Sequence, residues 1–348
     1  MQQSGSALNI SVSPFLNTEA WDNYARARNA GIYHDSRWMK IFEAVFAHDC
    51  HYICAQREQD IVGIMPLVRV QHRIFGDYLV SLPFVTSGGV VADNPAVASA
   101  LLIHAAGLAS QLGCSHIETR DLAPASVPWA ARTDKISMLR ALPESAAILD
   151  KEIGTKLRAQ IKRPRREGAV AVIGGAELLD EFYAVFAVNM RDLGTPVYSP
   201  MLFAQILEQF PERASIAVIR VDGKTAAAAF LLRNGDSMEI PWASSLRKYN
   251  RISVNMLMYW EALCYSIAQG CDKFDFGRSS KDSNTYRFKL QWGAQPCQLY
   301  WHYWLANDAD MPALTPSNPK FKLAIAIWQQ LPLAIANRLG PHLVSGLP

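Results

Sequence analysis

No stretch of this sequence approaches the roughly 18–20 uninterrupted apolar residues of a spanning helix, which predicts a chain without transmembrane segments. The six cysteines are scattered, and a chain of this length needs no disulfide framework, so a reducing compartment is expected. "MQQSGSALNISVSPFL" at the N-terminus lacks the basic and apolar stretches of a signal peptide. Together these predict a cytoplasmic protein. One-signed charge is scarce too: a net +3 does not by itself argue for nucleic acid, and no DNA partner is expected. There is no Walker A sequence, no G-x-G-x-x-G and no G-x-S-x-G, which removes P-loop, dinucleotide and nucleophile-elbow chemistry. Asp275-Phe276-Gly277 spells a kinase magnesium tripeptide, but the Gly-rich loop, the strand lysine and the His-Arg-Asp loop are missing. "HDCHYIC" gathers His48, Cys50, His51 and Cys54, yet its strand-like alternation sends His51 and Cys54 to opposite faces, so no metal is expected.

What is present is the composition of a folded protein, half apolar and 19% charged. At 348 residues it should form two domains. An internal repeat gives their form. "SQLGCSHIETR" (110–120) resembles "SIAQGCDKFDFGR" (266–278): each ends a helix with Gly-Cys and enters a short strand carrying an acid, Glu118 or Asp275. Gly113 and Gly270 suit the left-handed position that ends a helix. Upstream, "QDIVGIMPLVRV" resembles "GKTAAAAFLLRN", each a strand after a turn. The expectation is two copies of one α/β unit, mixed sheets with helices on both faces. Domains are expected at 1–150 and 151–306, followed at 307–348 by a Pro-rich linker and an apolar C-terminal helix kinked or split by Pro332.

Two further segments carry candidate chemistry. Residues 156–167 hold six cations (Lys156, Arg158, Lys162, Arg163, Arg165, Arg166) against Glu167. Lys156, Arg163 and Arg166 are expected on one helix face up to a break at Pro164, suited to a diphosphate or a tRNA backbone; a merely solvated face is the rival. In "FDFGRSSKDSNTYRFKLQWG" (274–293) Phe274 and Phe276 alternate as in a strand, a polar loop follows, and alternation returns with Tyr286, Phe288 and Leu290 opposite Arg287, Lys289 and Gln291.

With "KLRAQIKRPRREG", "RDLGTPVYS" and "LPLAIANRLGPHLVSGLP", that stretch makes the chain resemble FemAB-type proteins, tandem GNAT-like (acyl-CoA N-acyltransferase-like) enzymes, and within them the exosortase/PEP-CTERM-associated group. The resemblance implies two GNAT-like units with the active site in the second, and transfer of an acyl or aminoacyl group to an amine-bearing envelope or exopolysaccharide precursor. The donor is aminoacyl-tRNA or acyl-coenzyme A, with no permanently bound cofactor. Lys289 is implied as the cation facing the reacting ester and Phe288 as pocket lining. Asp275 orients the amine or takes its proton; against this stands an ordinary ion pair with Arg278 or Arg287. Tyr286 is a candidate to stack on substrate. Asp192, Thr195 and Tyr198, with Trp242, form a candidate acceptor wall. The coenzyme A-binding turn of GNAT enzymes falls at "SLRKYNRISVNMLMYW", which has no Gly; Arg247, Lys248 and Arg251 stand there as phosphate ligands. The alternatives are an acyl-coenzyme A-dependent acetyltransferase of an amino sugar, and a non-catalytic protein binding RNA or an anionic surface. The apolar tail is expected on the body or at the cytoplasmic face of the inner membrane.

Overall fold

The computed structural model describes residues 9–12, 17–306, 310–312 and 319–348. Most of the expected linker and much of the N-terminal segment lie outside them. In chain order the elements are β1 (Asn9–Val12), α1 (Thr18–Ala27), α2 (Arg37–Phe46), β2 (Asp49–Arg57), β3 (Asp60–His72), β4 (Gly76–Val80), β5 (Val91–Ala92), α3 (Pro95–Leu112), β6 (His116–Asp121), β7 (Ala130–Arg132), β8 (Lys135–Ala141), α4 (Ala146–Glu152), α5 (Thr155–Arg166), β9 (Val170–Gly174), α6 (Leu179–Leu193) and α7 (Pro200–Gln209). Then come β10 (Ala214–Val221), β11 (Lys224–Asn234), β12 (Ser237–Ser245), α8 (Val254–Ala268), β13 (Lys273–Ser280), α9 (Asn284–Gln291), β14 (Gln295–Gln298), β15 (Tyr300–Leu305), α10 (Pro319–Gln330) and α11 (Leu333–Val344).

The first unit comprises Met1–Lys135, Gln298–Leu314 and Ser345–Pro348. Its sheet runs β1-β2-β3-β4-β6-β15-β7, with β5 paired to β3. Only β4 and β6 pair in parallel there among the described pairings, and only over Leu79↔Ile117 and Val80↔Glu118. Helices cover both faces. Ile53 and Ala55 of β2 pack with Leu101 and Ala105 of α3. Cys54, between them and pointing the other way, packs with Trp21 of α1. Helix α3 is 18 residues long and, by length and composition, apolar enough to cross a membrane. That corrects the expectation that no run approaches spanning length. Here Val97, Leu101, Leu102, Ala105 and Ala109 lie buried against the sheet, and Asn94 caps the helix by accepting from Val97 N.

The second unit comprises Ile136–Cys297 and Thr315–Val344. Its sheet runs β9-β10-β11-β12-β13-β8-β14. Strand for strand the order matches the first sheet. β12 and β13 form the parallel pair, over Ser237↔Lys273, Met238↔Phe274 and Glu239↔Asp275. Ala229 and Leu231 of β11 join a core with Leu257 and Leu263 of α8. Phe230 points to the opposite face and packs on Phe182 of α6 and Phe203 of α7.

The repeat is visible in the helix ends. Gly113 and Gly270 have φ of 71° and 76°. Cys114 N donates to Ala109 O at 2.9 Å and Cys271 N to Ser266 O at 3.0 Å, the bond that closes a helix over a left-handed glycine. Neither unit is one continuous piece of chain, however. Strand β8 lies in the second sheet although 136–150 was assigned to the first domain; β15 lies in the first sheet although 298–306 was assigned to the second. Strand pairing carries no local sequence mark that could have placed either boundary.

Candidate active site

Three elements of the second unit converge on Asp275. β13 carries it as the last residue in register with β12, after which β12 and β13 no longer pair. β8 supplies Ser137, whose hydroxyl donates to Asp275 Oδ1 at 2.7 Å. Gly277 N also donates to Oδ1, at 2.8 Å. Gly277 has φ of 73°, a conformation that favours glycine, so this turn of the chain cannot take a side chain without strain.

The segment after β13 differs from expectation. Residues 284–291 form helix α9, not a returning strand. Ser283 caps it by accepting from Tyr286 N at 3.2 Å, and the polar loop shrinks to the turn between Ser280 and Ser283. Period-two alternation over six residues misled because short mixed stretches fit either period; the Ser cap was the discriminating signal. As a helix, the segment turns Lys289 inward with Trp292. Phe288 and Trp292, four residues apart, share contact with Tyr259. Tyr286 and Phe288 are half-buried against the same core. Trp292 is fully buried.

Lys289 is only 7% exposed, and its Nζ donates to Gly277 O and Arg278 O, both at 2.9 Å. Burial pulls its pKa down to about 8, with Asp275 and Glu239 opposing the fall. Burial pushes the Asp275 carboxyl up, against the hydrogen bonds from Ser137 and Gly277 and the field of Lys289. The arrangement is therefore a carboxyl and an amine on either side of the Gly277 backbone, each shifted toward its neutral form. Lys289 can release its proton near pH 8, Asp275 holds its own more firmly than an exposed carboxyl, and the site can place positive charge beside the end of the parallel strands. Arg278 is exposed and contributes its backbone carbonyl to the Lys289 clamp.

The other candidates divide. Tyr198 and Trp242 come together, ring centroids 6.2 Å apart and edge to face. Trp242 is nonetheless mainly core, at 8% exposed and packed on Phe203 and Phe230. Thr195 is half-buried on the loop after α6, its N–H donating to Met190 O at 3.0 Å. Asp192 pairs with Arg191 at 2.7 Å and lies 3.7 Å from Arg247 Nε, while Arg247 Nη2 donates to Asp192 O at 2.9 Å. An acceptor-wall residue and a phosphate candidate are thus one ion-paired corner. Lys248 sits 4.9 Å from the Tyr249 ring, and Arg251 is exposed. At the start of α8 no glycine is present, yet Ser253 adopts φ of 63°. Lys162, Arg163 and Arg166 are exposed on α5, which is anchored by buried Leu157, Ile161 and Pro164. The helix does not break at Pro164: only two helical residues follow it, so a single lost N–H is tolerated.

Reasoning from the sequence missed Ser137 and Arg140, both brought by β8. Arg140 is 7% exposed; Nη1 donates to Trp292 O at the end of α9, and Nη2 pairs with Glu152 at 2.6 Å. Ser279 Oγ, one residue beyond the clamp carbonyls, is buried without a partner.

This splayed parallel pair, with helix α8 between its strands and a lysine clamp at its end, lies within residues 154–290, which match the Acetyltransferase (GNAT) domain family. The match spans less than half of the chain, and the whole has a fold of two mixed sheets with GNAT-like neighbours. The structure of FemX matches with a TM-score of 0.65 at 12% identity, over 84% of this chain and 96% of that one. A tandem GNAT protein from the clavulanic acid biosynthesis pathway matches with a TM-score of 0.55 at 11% identity, over 87% and 100%. The C-terminal domain (DUF2156) of a protein described as a lysylphosphatidylglycerol synthetase, from Agrobacterium fabrum, gives 0.56 at 14%, over 82% and 91%. No curated protein matches the sequence.

Proposed function

We propose that this protein is an N-acyltransferase of FemAB type that moves an acyl or aminoacyl group onto an amine of a bacterial envelope or exopolysaccharide precursor. The exosortase/PEP-CTERM-associated group remains the subgroup inferred from sequence, and the cytoplasmic face of the inner membrane the inferred location. One observation carries the reading: the lysine–carboxyl pair sits where the parallel register of a GNAT domain ends. A neutral amine attacks the carbonyl carbon of the activated ester or thioester. Its proton passes to Asp275, whose raised affinity for protons suits that task. Charge developing on the carbonyl oxygen meets the Lys289 ammonium, which two backbone carbonyls hold in place. Collapse of the tetrahedral intermediate expels the thiolate of coenzyme A or the ribose oxygen of tRNA.

Domains of the GNAT family supply the precedent for acyl-coenzyme A as donor; the sequence resemblance to FemAB-type proteins supports aminoacyl-tRNA. Incubation with radiolabelled acetyl-coenzyme A, or with charged tRNA, and a set of amino sugars and lipid extracts tests both. Label should pass to an amine from one donor only. Tight RNA binding without transfer from either donor defeats the reading and supports a binding protein working through the exposed cations of α5, and steep salt dependence without sequence preference would mark that outcome.

A further inference from the structure

We propose that the outward face of α10 and α11 rests on an anionic bilayer surface, and that the transfer site takes its amine acceptor from that surface. The second half rests on the acyltransferase reading; the first does not. The two helices are 12 residues each, about 18 Å, which is too short to span. Leu323 and Ile327 on α10 are 72% and 56% exposed, and Ile335 and Leu339 on α11 are 44% and 45% exposed. Four-residue spacing places each pair on one face of its helix. Aliphatic side chains this open, repeated on consecutive helices, are apolar area that a water-facing helix has no need of.

Charge selects the occupant. No Asp or Glu follows Asp310 in the sequence, and Lys322 and Arg338 are exposed on these helices. An apolar face on helices whose own charged side chains are all cations matches the interface of a membrane bearing anionic headgroups. A second copy fits less well, because a two-fold contact would bring cationic faces together with no acid from either tail.

The inward side ties this face to the candidate acceptor wall. Both helices pack on α6. Gln329 Nε2 donates to Asp192 O at 3.2 Å. A Cβ on Gly194 would stand 2.4 Å from Ile325, and one on Gly340 would stand 2.8 Å from the Val197 backbone, so these approaches need the glycines. The last turn of α6 with Asp192, and the loop after it with Thr195 and Tyr198, therefore lie beside the helices of the proposed lipid surface.

The test is co-sedimentation of the full chain with phosphatidylcholine vesicles, with and without one-third phosphatidylglycerol. The protein should pellet with the anionic vesicles, and added salt should release most of it. The double variant Leu323→Glu/Ile327→Glu should bind roughly tenfold or more weakly while keeping its melting temperature and its turnover of a water-soluble amine. A parent that stays in the supernatant, or a double variant that pellets like the parent, overturns the proposal. So does a parent that sediments as a dimer and becomes a monomer in the variant, which assigns the face to a second copy. Vesicle binding without turnover of any amine leaves the bilayer contact standing and defeats the acyltransferase reading, and with it the supply of acceptor from that surface.

Discussion

Glu118 and Asp275 occupy one position in two copies of the same sheet, each the last residue of the parallel register. Their surroundings differ in a way that bears on the proposed site. Two residues after Glu118 comes Arg120, whose Nη2 lies 2.7 Å from the carboxylate, with both side chains almost fully buried. Tyr303, from the neighbouring β15, donates to the same carboxylate at 2.9 Å. Arg120 also donates to Val85 O and lies over the Trp301 ring. Every charge there is spent on structure. Two residues after Asp275 comes Gly277 instead, and the neighbouring strand β8 offers only a serine hydroxyl. The cation arrives from a separate helix and is held by carbonyls, leaving the carboxyl undischarged by any direct ion pair with Lys289 among the hydrogen bonds and salt bridges described. Removing an arginine from the strand and returning a lysine from a helix turns a staple into a titratable pair.

The largest effect should come from breaking the staple. Glu118→Ala leaves the Arg120 guanidinium buried without its carboxylate, which should cost about 3–5 kcal/mol. Denaturant unfolding of the full chain should show the first unit melting early while the kcat of folded protein is unchanged. Equal losses of kcat and stability would mean that the two acids are not divided in role as argued.

Lys289→Met tests the other member of the comparison. Methionine keeps most of the apolar stem, so folding should be retained. The rate should fall roughly 10²–10³-fold, about 3–4 kcal/mol, with the loss in kcat rather than KM. Lys289→Arg should rescue only in part, since a planar fork cannot reproduce the point charge on two carbonyls. pH separates the possible roles. If the ammonium is the working form, kcat should fall as pH rises through about 8. If the free amine works as a base, kcat should rise there. The stability of the parent relative to Lys289→Met should climb between about 8 and the unfolded value near 10.5, because the unfolded chain holds the extra proton in that window. A flat profile in both measurements would make the lysine an inert strut.

Much of this was legible beforehand, for identifiable reasons. Gly113 and Gly270 marked the helix ends because a left-handed residue is a local demand written into one position. The motif of fixed spacing singles out Asp275 and Lys289, and the structure brings both side chains to the Gly277 backbone. Ser137 and Arg140 were not legible, because β8 reaches the second sheet from a stretch assigned to the first domain, and strand exchange has no compositional cost. Helix α9 is hidden in the sequence because Tyr286 to Gln291 satisfy period two by accident, while its true cue, the cap Ser283, sits among polar residues that read as loop.

Arg140 gives a smaller effect that sharpens the same contrast. Arg140→Met leaves the buried Trp292 carbonyl without its donor, a loss of about 1–3 kcal/mol. The partner Glu152 is 46% exposed on its side chain and can return to water at little cost. If Arg140 only holds α9 against the sheet, melting temperature should fall and kcat should drop with it, while the pH dependence of the remaining activity stays where the parent has it. A profile moved toward the ordinary lysine value would show that Arg140 instead sets the field around Lys289.

The smallest effect belongs to the basic helix. Arg163 and Arg166 are exposed at the last turn of α5, where water and salt screen them. Each contact to a phosphate there should be worth about 0.2–1 kcal/mol, so Arg163→Ala/Arg166→Ala should raise KM for a phosphate-bearing substrate about twofold to thirtyfold. The change should shrink as salt rises, because the parent loses the same contacts to screening. Neither kcat nor melting temperature should move, since the buried Leu157, Ile161 and Pro164 anchor the helix without them. Unchanged Michaelis constants for every substrate at low salt would return these two arginines to a solvated surface, and would leave Lys162 and the cations Arg247, Lys248 and Arg251 as the remaining candidates for holding phosphate.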